Sequence, residues 1–427
     1  MFCITAAFNC TARQGMNEER KKSKMKNVLR KVAAISLAAA MTVPFAGCSS
    51  NENASGSDSA EGTLKIGSIG PITGGAAVYG IAVKNAAELA VEEINANGGI
   101  NGMKVEFKFE DDVHDAEKSV NAYNSLKDWG MEILMGTVTS TPCQAVVEES
   151  HNDNMFQLTP SGSAVESIKY DNAFRVCFSD PNQGSASAKY IGENGLAEKV
   201  AVIYNSSDVY STGIYEKFAA EAENQPFEIV AAEAFTDDRK SDFKTQLTKA
   251  KDSGADMVFL PIYYQEASLI LQQAKDMSYA PKFFGCDGMD GILDIENFDV
   301  SLAEGLMLLT PFAADATDDA TVKFVSAYTE KYGDTPIQFA ADAYDAIYII
   351  KAAAEKAGVK ADMSISDMCD AMKTAMTEIT VDGLTGAGIT WSADGEPTKE
   401  PKAVKVVVTE STDDSGNTVK TGSYQAM

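Results

Sequence analysis

From Thr63 onward the chain alternates short apolar, β-branched runs with longer amphipathic stretches, and no other feature limits its fold as strongly. Leu64 to Ile69 reads as a buried strand and Val105 to Glu110 as the next. Between them, Ala77 to Asn97 places Val83, Ala86, Ala87, Ala90 and Ile94 on one face of a helix, which Asn97-Gly98-Gly99 stops. The unit recurs with helices over Ala116 to Lys127 and Pro142 to Asn152, and strands over Ile133 to Met135 and Phe156 to Thr159. After Pro181 a second series of strands covers Val200 to Tyr204, Ile229 to Phe235, Met257 to Leu260 and Phe283 to Gly285. Helices alternate with them around Ser185 to Glu193, Ile214 to Glu223, Phe243 to Asp252 and Ala267 to Asp276. Such alternation specifies an α/β fold whose parallel sheets are covered by helices on both faces.

A strand at Leu306 to Leu309 is followed by helices near Ala320 to Tyr332, Phe339 to Ala357 and Ser366 to Met376. The last strand-like run, Ala403 to Thr409, is expected at an edge of the second sheet. The body exceeds what one core usually serves, so two lobes built from a discontinuous chain are expected.

The N-terminus adds a compartment. A basic segment from Arg20 to Lys31 leads into an apolar run from Val32 to Phe45, which stops at Ala46-Gly47-Cys48. A run this short falls below the roughly 20 residues a spanning helix needs, and the order of charge, apolar run and small residues before cysteine is that of a lipoprotein signal. Cys48 is then the lipidated residue, residues 1–47 a removed leader whose true start is Met1, Met16 or Met25, and residues 48–62 a polar tether. The body is expected on the outer face of the cell membrane, held by its lipid.

The formal net charge is −26, and losing the leader, with eight Lys or Arg against two Glu, deepens it to −32. Nucleic acid is disfavoured as a partner, because phosphate binding needs basic patches. Cys143, Cys177, Cys286 and Cys369 allow three pairings among which sequence does not choose. With only His114 and His151 available, a zinc site is not expected, nor any other metal or cofactor. Asp111, Asp112, His114 and Asp115 read as a solvated loop leading into a capped helix. Neither a heptad repeat nor a long exposed apolar strand is apparent, so a monomer is expected.

KIGSIGPITGGAAVYG, followed by AAELAVEEINANGGINGMKVEFKFEDD, resembles the branched-chain amino-acid type of periplasmic binding proteins, the type I solute receptors of ABC transporters. The resemblance continues through LTPSGSA, VIYNSSDVYSTG, SDFKTQLTKAKDSGADMVFLPIYYQEA, FFGCDGMDG and ITWSADG. It implies two doubly wound lobes, 63–180 with 311–395 and 181–310 with 396–427, crossed near Phe178 to Pro181, Thr310 to Pro311 and Trp391 to Lys402. Closing on an amino acid between the lobes would create the surface a permease recognises.

The resemblance also assigns roles. Tyr79 falls where the family sets a bulky side chain near the solute's tail. Ser140 and Thr141 precede Pro142, which reads as the first helical position, so the free amides of this helix end suit a carboxylate. Ser161, Gly162 and Ser163 match the loop that holds both ends of an α-amino acid, with the glycine letting backbone come close. Tyr210 and Tyr263 match aromatic walls, and Asp287 the acid that meets the ammonium, where leucine-binding members resemble one another in carrying Glu. The family's disulfide falls at the places of His114 and Thr139 and is absent here.

Plainer readings compete: Ser140 and Thr141 as a cap alone, Tyr263 and Tyr264 as core aromatics, Asp287 as a turn acid. Other solutes of the same fold, among them amides, aromatic acids and other amino acids, stay open, as does a sensor feeding a membrane signalling partner. A hydrolase using Ser163 or Cys286 is disfavoured, because neither histidine belongs to a segment expected at the cleft and a nucleophile needs an oriented base. No nucleophile elbow, phosphate loop or HExxH motif occurs, so no enzymatic activity is expected.

Overall fold

The computed structural model describes residues 62–412 and 416–427. The leader, Cys48 and nearly all of the tether lie outside them.

The first sheet is wholly parallel and contains β1 (Thr63–Gly70), β2 (Lys104–Asp111), β3 (Ile133–Gly136), β4 (Gln157–Thr159) and β5 (Ala173–Arg175). Its spatial order is β2-β1-β3-β4-β5. Helices α1 (Ala77–Ala96), α2 (Ala116–Trp129) and α3 (Ser140–Asn152) connect the first four strands. The α1 stop works as its glycines imply: Gly99 N donates to Ile94 O at 2.9 Å, with Gly99 at φ +77. A Cβ at Gly99 would come within 1.9 Å of Met103 O, so only glycine fits.

After α4 (Asp180–Glu193) the second sheet begins with β6 (Lys199–Asn205), α5 (Val209–Ala222), β7 (Glu228–Phe235), α6 (Lys244–Asp252) and β8 (Met257–Leu260). It continues through α7 (Tyr264–Asp276), β9 (Lys282–Gly285) and β10 (Met307–Thr310). These five strands are parallel in the order β7-β6-β8-β9-β10, which repeats the winding of the first sheet. The lobes are thus two copies of one doubly wound plan. Their cores differ: Ala82, Ala86, Ala87 and Ala90 of α1 are buried in the first, while Phe218 stacks on Phe259 at 3.9 Å in the second.

From β10 the chain returns to the first sheet as α8 (Asp319–Tyr332), α9 (Gln338–Ala357) and α10 (Ile365–Met376). Tyr344 and Tyr348 of α9 both donate to Glu93 of α1, and Tyr332 donates to Asn85 O. A two-stranded β11 (Val381–Gly383) and β12 (Gly386–Ile389) follows. The chain then re-enters the second sheet as β13 (Lys402–Thr412), antiparallel to β10.

Three strand expectations need correction. The run expected at the sheet edge is interior, because β14 (Thr418–Ala426) pairs outside β13 along its whole length. β14 was not expected, since TVKTGSYQA is mostly polar and only Gly422 and Tyr424 of it turn a partly buried face inward. β5 and the β11–β12 pair were also missed, because AFR ends on a charged residue and VDG and GAGI are short and glycine-bearing, so none reads as the apolar run that marked the other short strands.

The crossings between sheets are tied to one another. Trp391 Nε1 donates to Arg175 O at 2.8 Å, and Lys399 Nζ to Val176 O and Asp342 Oδ1, both at 2.9 Å. Cys143, Cys177, Cys286 and Cys369 are all free thiols and buried.

Candidate functional site

In sheets wound this way ligands lie beyond the carboxyl ends of the strands, where the order of connection reverses. In the first sheet that point is between β1 and β3, in the second between β6 and β8. The loops leaving these strands and the first turns of the helices they enter, with the loops after β4 and β9, carry the candidate residues. One cavity between the two sets is lined by Tyr79, Val138, Thr139, Ser140, Ser161, Tyr210, Tyr263, Asp287, Gly288 and Phe339. Six residues singled out from the sequence, Tyr79, Ser140, Ser161, Tyr210, Tyr263 and Asp287, meet there. The free space is about 10 Å³, room for roughly one water. A solute enters only when these side chains part.

Tyr79 crosses the cleft. Its hydroxyl donates to Gly288 O, and its ring stacks on Phe339 at 4.1 Å and meets Tyr264 edge-on at 4.9 Å. Gly80 makes this possible, because a Cβ there would strike Pro71 O at 1.9 Å.

Helix α3 begins two residues earlier than expected. Thr139 is its extended N-cap, Ser140 its first residue, and Pro142 stands third rather than first. A proline is tolerated anywhere in the first turn, whose amides have no helical acceptor, so its place did not fix the start. The Ser140 hydroxyl accepts from Ala164 N at 3.2 Å. Thr141, one helical step of about 100° further round, is not in the cavity wall and donates to Asp208 across the cleft at 3.3 Å. Thr139 Oγ1 and His114 Nδ1 lie 2.9 Å apart, so a polar contact stands where the family resemblance places a disulfide.

The 161–163 loop is held mainly from behind. Ser161 donates to Val138 O at 2.6 Å, and Gly162 N donates to Thr159 Oγ1 at 2.7 Å. Gly162 does not line the cavity; a Cβ there would meet Thr159 Oγ1 at 2.8 Å and Cys143 Sγ at 3.1 Å, so internal packing requires the glycine. Ser163 is also outside the wall, with its buried hydroxyl unpartnered. Fully buried Arg175, which no sequence signal marked, donates to the Gly162 and Ser163 carbonyls and lies 3.3 Å from Glu396.

In the second lobe Tyr210 stacks on Tyr263 at 4.8 Å and donates to Asp287 Oδ1 at 2.7 Å. Its oxygen also accepts from Gly288 N at 2.9 Å. A Cβ at Gly288 would reach that oxygen at 2.7 Å. Asp287 is oriented by two glutamines missed from the sequence: its N–H donates to Gln183, and Gln338 donates to its carbonyl. Burial pushes its carboxyl up to about 6, while Tyr210 and Gln183 favour the charged form.

One expectation about histidine fails. His114 stands edge-on to Tyr263 at 5.4 Å, beside the candidate site, because the turn after β2 carries it to the cleft. Burial, then the Lys240 charge, lowers its pKa to about 4. Its neighbours Asp111, Asp112 and Asp115 accept from amides of the same region, Asp115 as the N-cap of α2.

The sequence model described as periplasmic binding protein matches residues 63–413. The chain belongs to the periplasmic binding protein family. Among relatives in the family, the Leu/Ile/Val-binding protein BraC3 of Rhizobium johnstonii is 30% identical over 71% of this chain and 82% of its own. A leucine-, isoleucine-, valine-, threonine- and alanine-binding protein of Pseudomonas aeruginosa is 30% identical over 69% of this chain and 79% of its own. The branched-chain amino acid transporter substrate-binding protein LivJ of Streptococcus pneumoniae, solved with isoleucine, superposes with a TM-score of 0.72 at 27% identity. That match covers 85% of this chain and all of LivJ. Family and two-lobed α/β fold are therefore as the sequence resemblance implied.

Proposed function

We propose that the chain is the solute-binding component of an ABC importer for an α-amino acid with an apolar side chain, foremost Leu, Ile or Val. One observation carries this reading: a carboxylate, Asp287, and the N-terminal turn of α3 open on one cavity whose remaining walls are largely aromatic. A zwitterion needs that pairing, since helix-end amides favour its carboxylate and Asp287 its ammonium. The names of the relatives agree with it.

In this reading the lobes 63–180 with 311–395 and 181–310 with 396–427 close on the solute as a monomer. The closed form docks on the permease, and Cys48 holds the protein to the outer face of the membrane by its lipid. Among the described residues no helix is long and apolar enough to cross a membrane. Binding without turnover is the expected activity. Cys143, Cys177, Cys286 and Cys369 carry no role in it.

Calorimetric titration of solute-stripped protein with leucine, isoleucine, valine, threonine, alanine and 4-methylvalerate tests the reading. The branched amino acids bind, and the deaminated analogue is weaker by roughly 100-fold, as loss of a buried charge partner implies. Indifference to all five amino acids defeats it. The anchor is tested by Cys48→Ala, which abolishes incorporation of labelled fatty acid; a labelled variant defeats that part alone.

A further inference from the structure

Gln338 is 1% exposed and does not line the cavity, yet its polar groups reach three other segments. Its Nε2 donates to Asp287 O at 2.8 Å, its Oε1 accepts from Thr310 Oγ1 at 3.0 Å, and its backbone N–H donates to Asp290 Oδ2 at 2.8 Å. Thr310 ends β10, where the chain leaves the second sheet. Gln338 begins α9, which is tied to α1 over the first sheet through Tyr344, Tyr348 and Glu93. Asp287 and Asp290 follow β9 of the second sheet. The acid assigned to the ammonium is therefore held from behind by a helix of the opposite lobe, at the point where the chain crosses between them.

The need to satisfy buried polar groups does not account for this side chain. Asp287 O also accepts from Asp290 N at 2.9 Å. Thr310 Oγ1 has a second acceptor, Phe312 O at 2.9 Å, and itself accepts from Phe312 N at 3.2 Å. Both partners of the Gln338 amide would keep a hydrogen bond if an apolar group of the same length stood there, so little stability rests on it. The end of α9 does not need it either, since Asp290 meets the backbone of residue 338 and not its side chain. What the amide adds is a link. Its donor end holds the backbone of Asp287 and its acceptor end holds the crossing, and because the group is planar and rigid a shift at one end is carried to the other.

We infer that Gln338 is a positioning residue that couples the second crossing to recognition of the solute's ammonium, keeping Asp287 in place only while Thr310 keeps its own. This deepens the amino-acid reading and rests on it. Preference for an amine is then set in part by the hinge and not by the cavity wall alone, and a solute without an ammonium gains nothing from the link.

The test measures leucine and 4-methylvalerate by calorimetry with displacement, alongside thermal melts without solute, on the parent, Gln338→Met, Thr310→Val, Thr310→Ser and the double variant of Gln338→Met with Thr310→Val. Gln338→Met lowers the preference for leucine over 4-methylvalerate roughly 3- to 10-fold, the scale of one hydrogen bond, and leaves 4-methylvalerate as in the parent. Thr310→Val, outside the cavity wall, lowers the same ratio, Thr310→Ser retains it, and the double variant loses no more than Gln338→Met alone. An unchanged ratio in Gln338→Met or in Thr310→Val overturns the inference while the amino-acid reading stands. Losses that add in the double variant overturn it too, as does equal weakening of both solutes with a lowered melt, which would make Gln338 a structural prop. A parent that binds no amino acid removes both readings.

Discussion

Asp287 and Ser140 face one cavity, yet their substitution has unequal consequences. Asp287→Ala leaves a buried ammonium without its partner and costs about 2 to 5 kcal/mol of leucine binding. Ser140→Ala costs about 0.5 to 2 kcal/mol, since the α3 amides stay in place and only the tie to Ala164 is lost. Titration calorimetry of the two variants gives the comparison, and equal losses would displace Asp287 from its role. Tyr79, Ser140, Ser161, Tyr210, Tyr263 and Asp287, which meet in the cavity, were legible through the family resemblance, which matched them to positions after successive strands. Arg175, Gln183 and Gln338 were not. Each acts on a loop from another element, as Gln338 does on the Asp287 carbonyl, and no local pattern encodes such a meeting.

Among elements, the long helices and buried strands followed from periodicity, and only their ends moved. The start of α3 is the costly error, since shifting it by two residues changes which side chains face the cleft and sends Thr141 toward Asp208. The crossings carry a sharper expectation. Lys399 and Asp342 are both almost wholly buried and lie 2.9 Å apart, joining the last crossing to α9. Lys399→Met alone strands a buried carboxylate and costs about 3 to 5 kcal/mol, whereas Lys399→Met with Asp342→Leu recovers most of that. Urea unfolding of the single and double variants reads it, and additive losses would contradict a coupled pair.

For the molecule as a whole, buried acids set the pH response. Burial foremost raises Asp208, Asp287 and Asp342 to about 6, and Asp112 and Asp290 to about 7. Between about pH 4 and 7 the folded chain holds protons that the unfolded chain has released, so stability falls as pH rises through that window. Acids with lowered values, such as Glu148 and Asp370, are exposed and act below it. His114, lowered to about 4, works against the trend within the window but is one group against the five raised acids. The urea midpoint is therefore higher at pH 5 than at pH 7.5, and Asp290→Asn flattens the difference; a midpoint that climbs with pH excludes this account. Solute-dependent closure belongs to the same scale: small-angle scattering records a smaller radius of gyration with leucine, and an unchanged profile at saturation rejects hinge closure. The two lobes were legible from repeated alternation, but the pairing of β13 with β14 was not, because β14 is mostly polar and only Gly422 and Tyr424 of it are partly buried.

The four free thiols, Cys143, Cys177, Cys286 and Cys369, have a bearing on handling as well as on habitat. Where the family resemblance sets a covalent clasp, His114 and Thr139 make a contact that no reductant breaks. Folding of the described body therefore asks nothing of an oxidising compartment or a thiol oxidase, and a reducing cytosol is an adequate place to produce it. Heat reverses the advantage. Once unfolded in air, four newly exposed thiols pair at random, so recovery after melting depends on keeping them reduced.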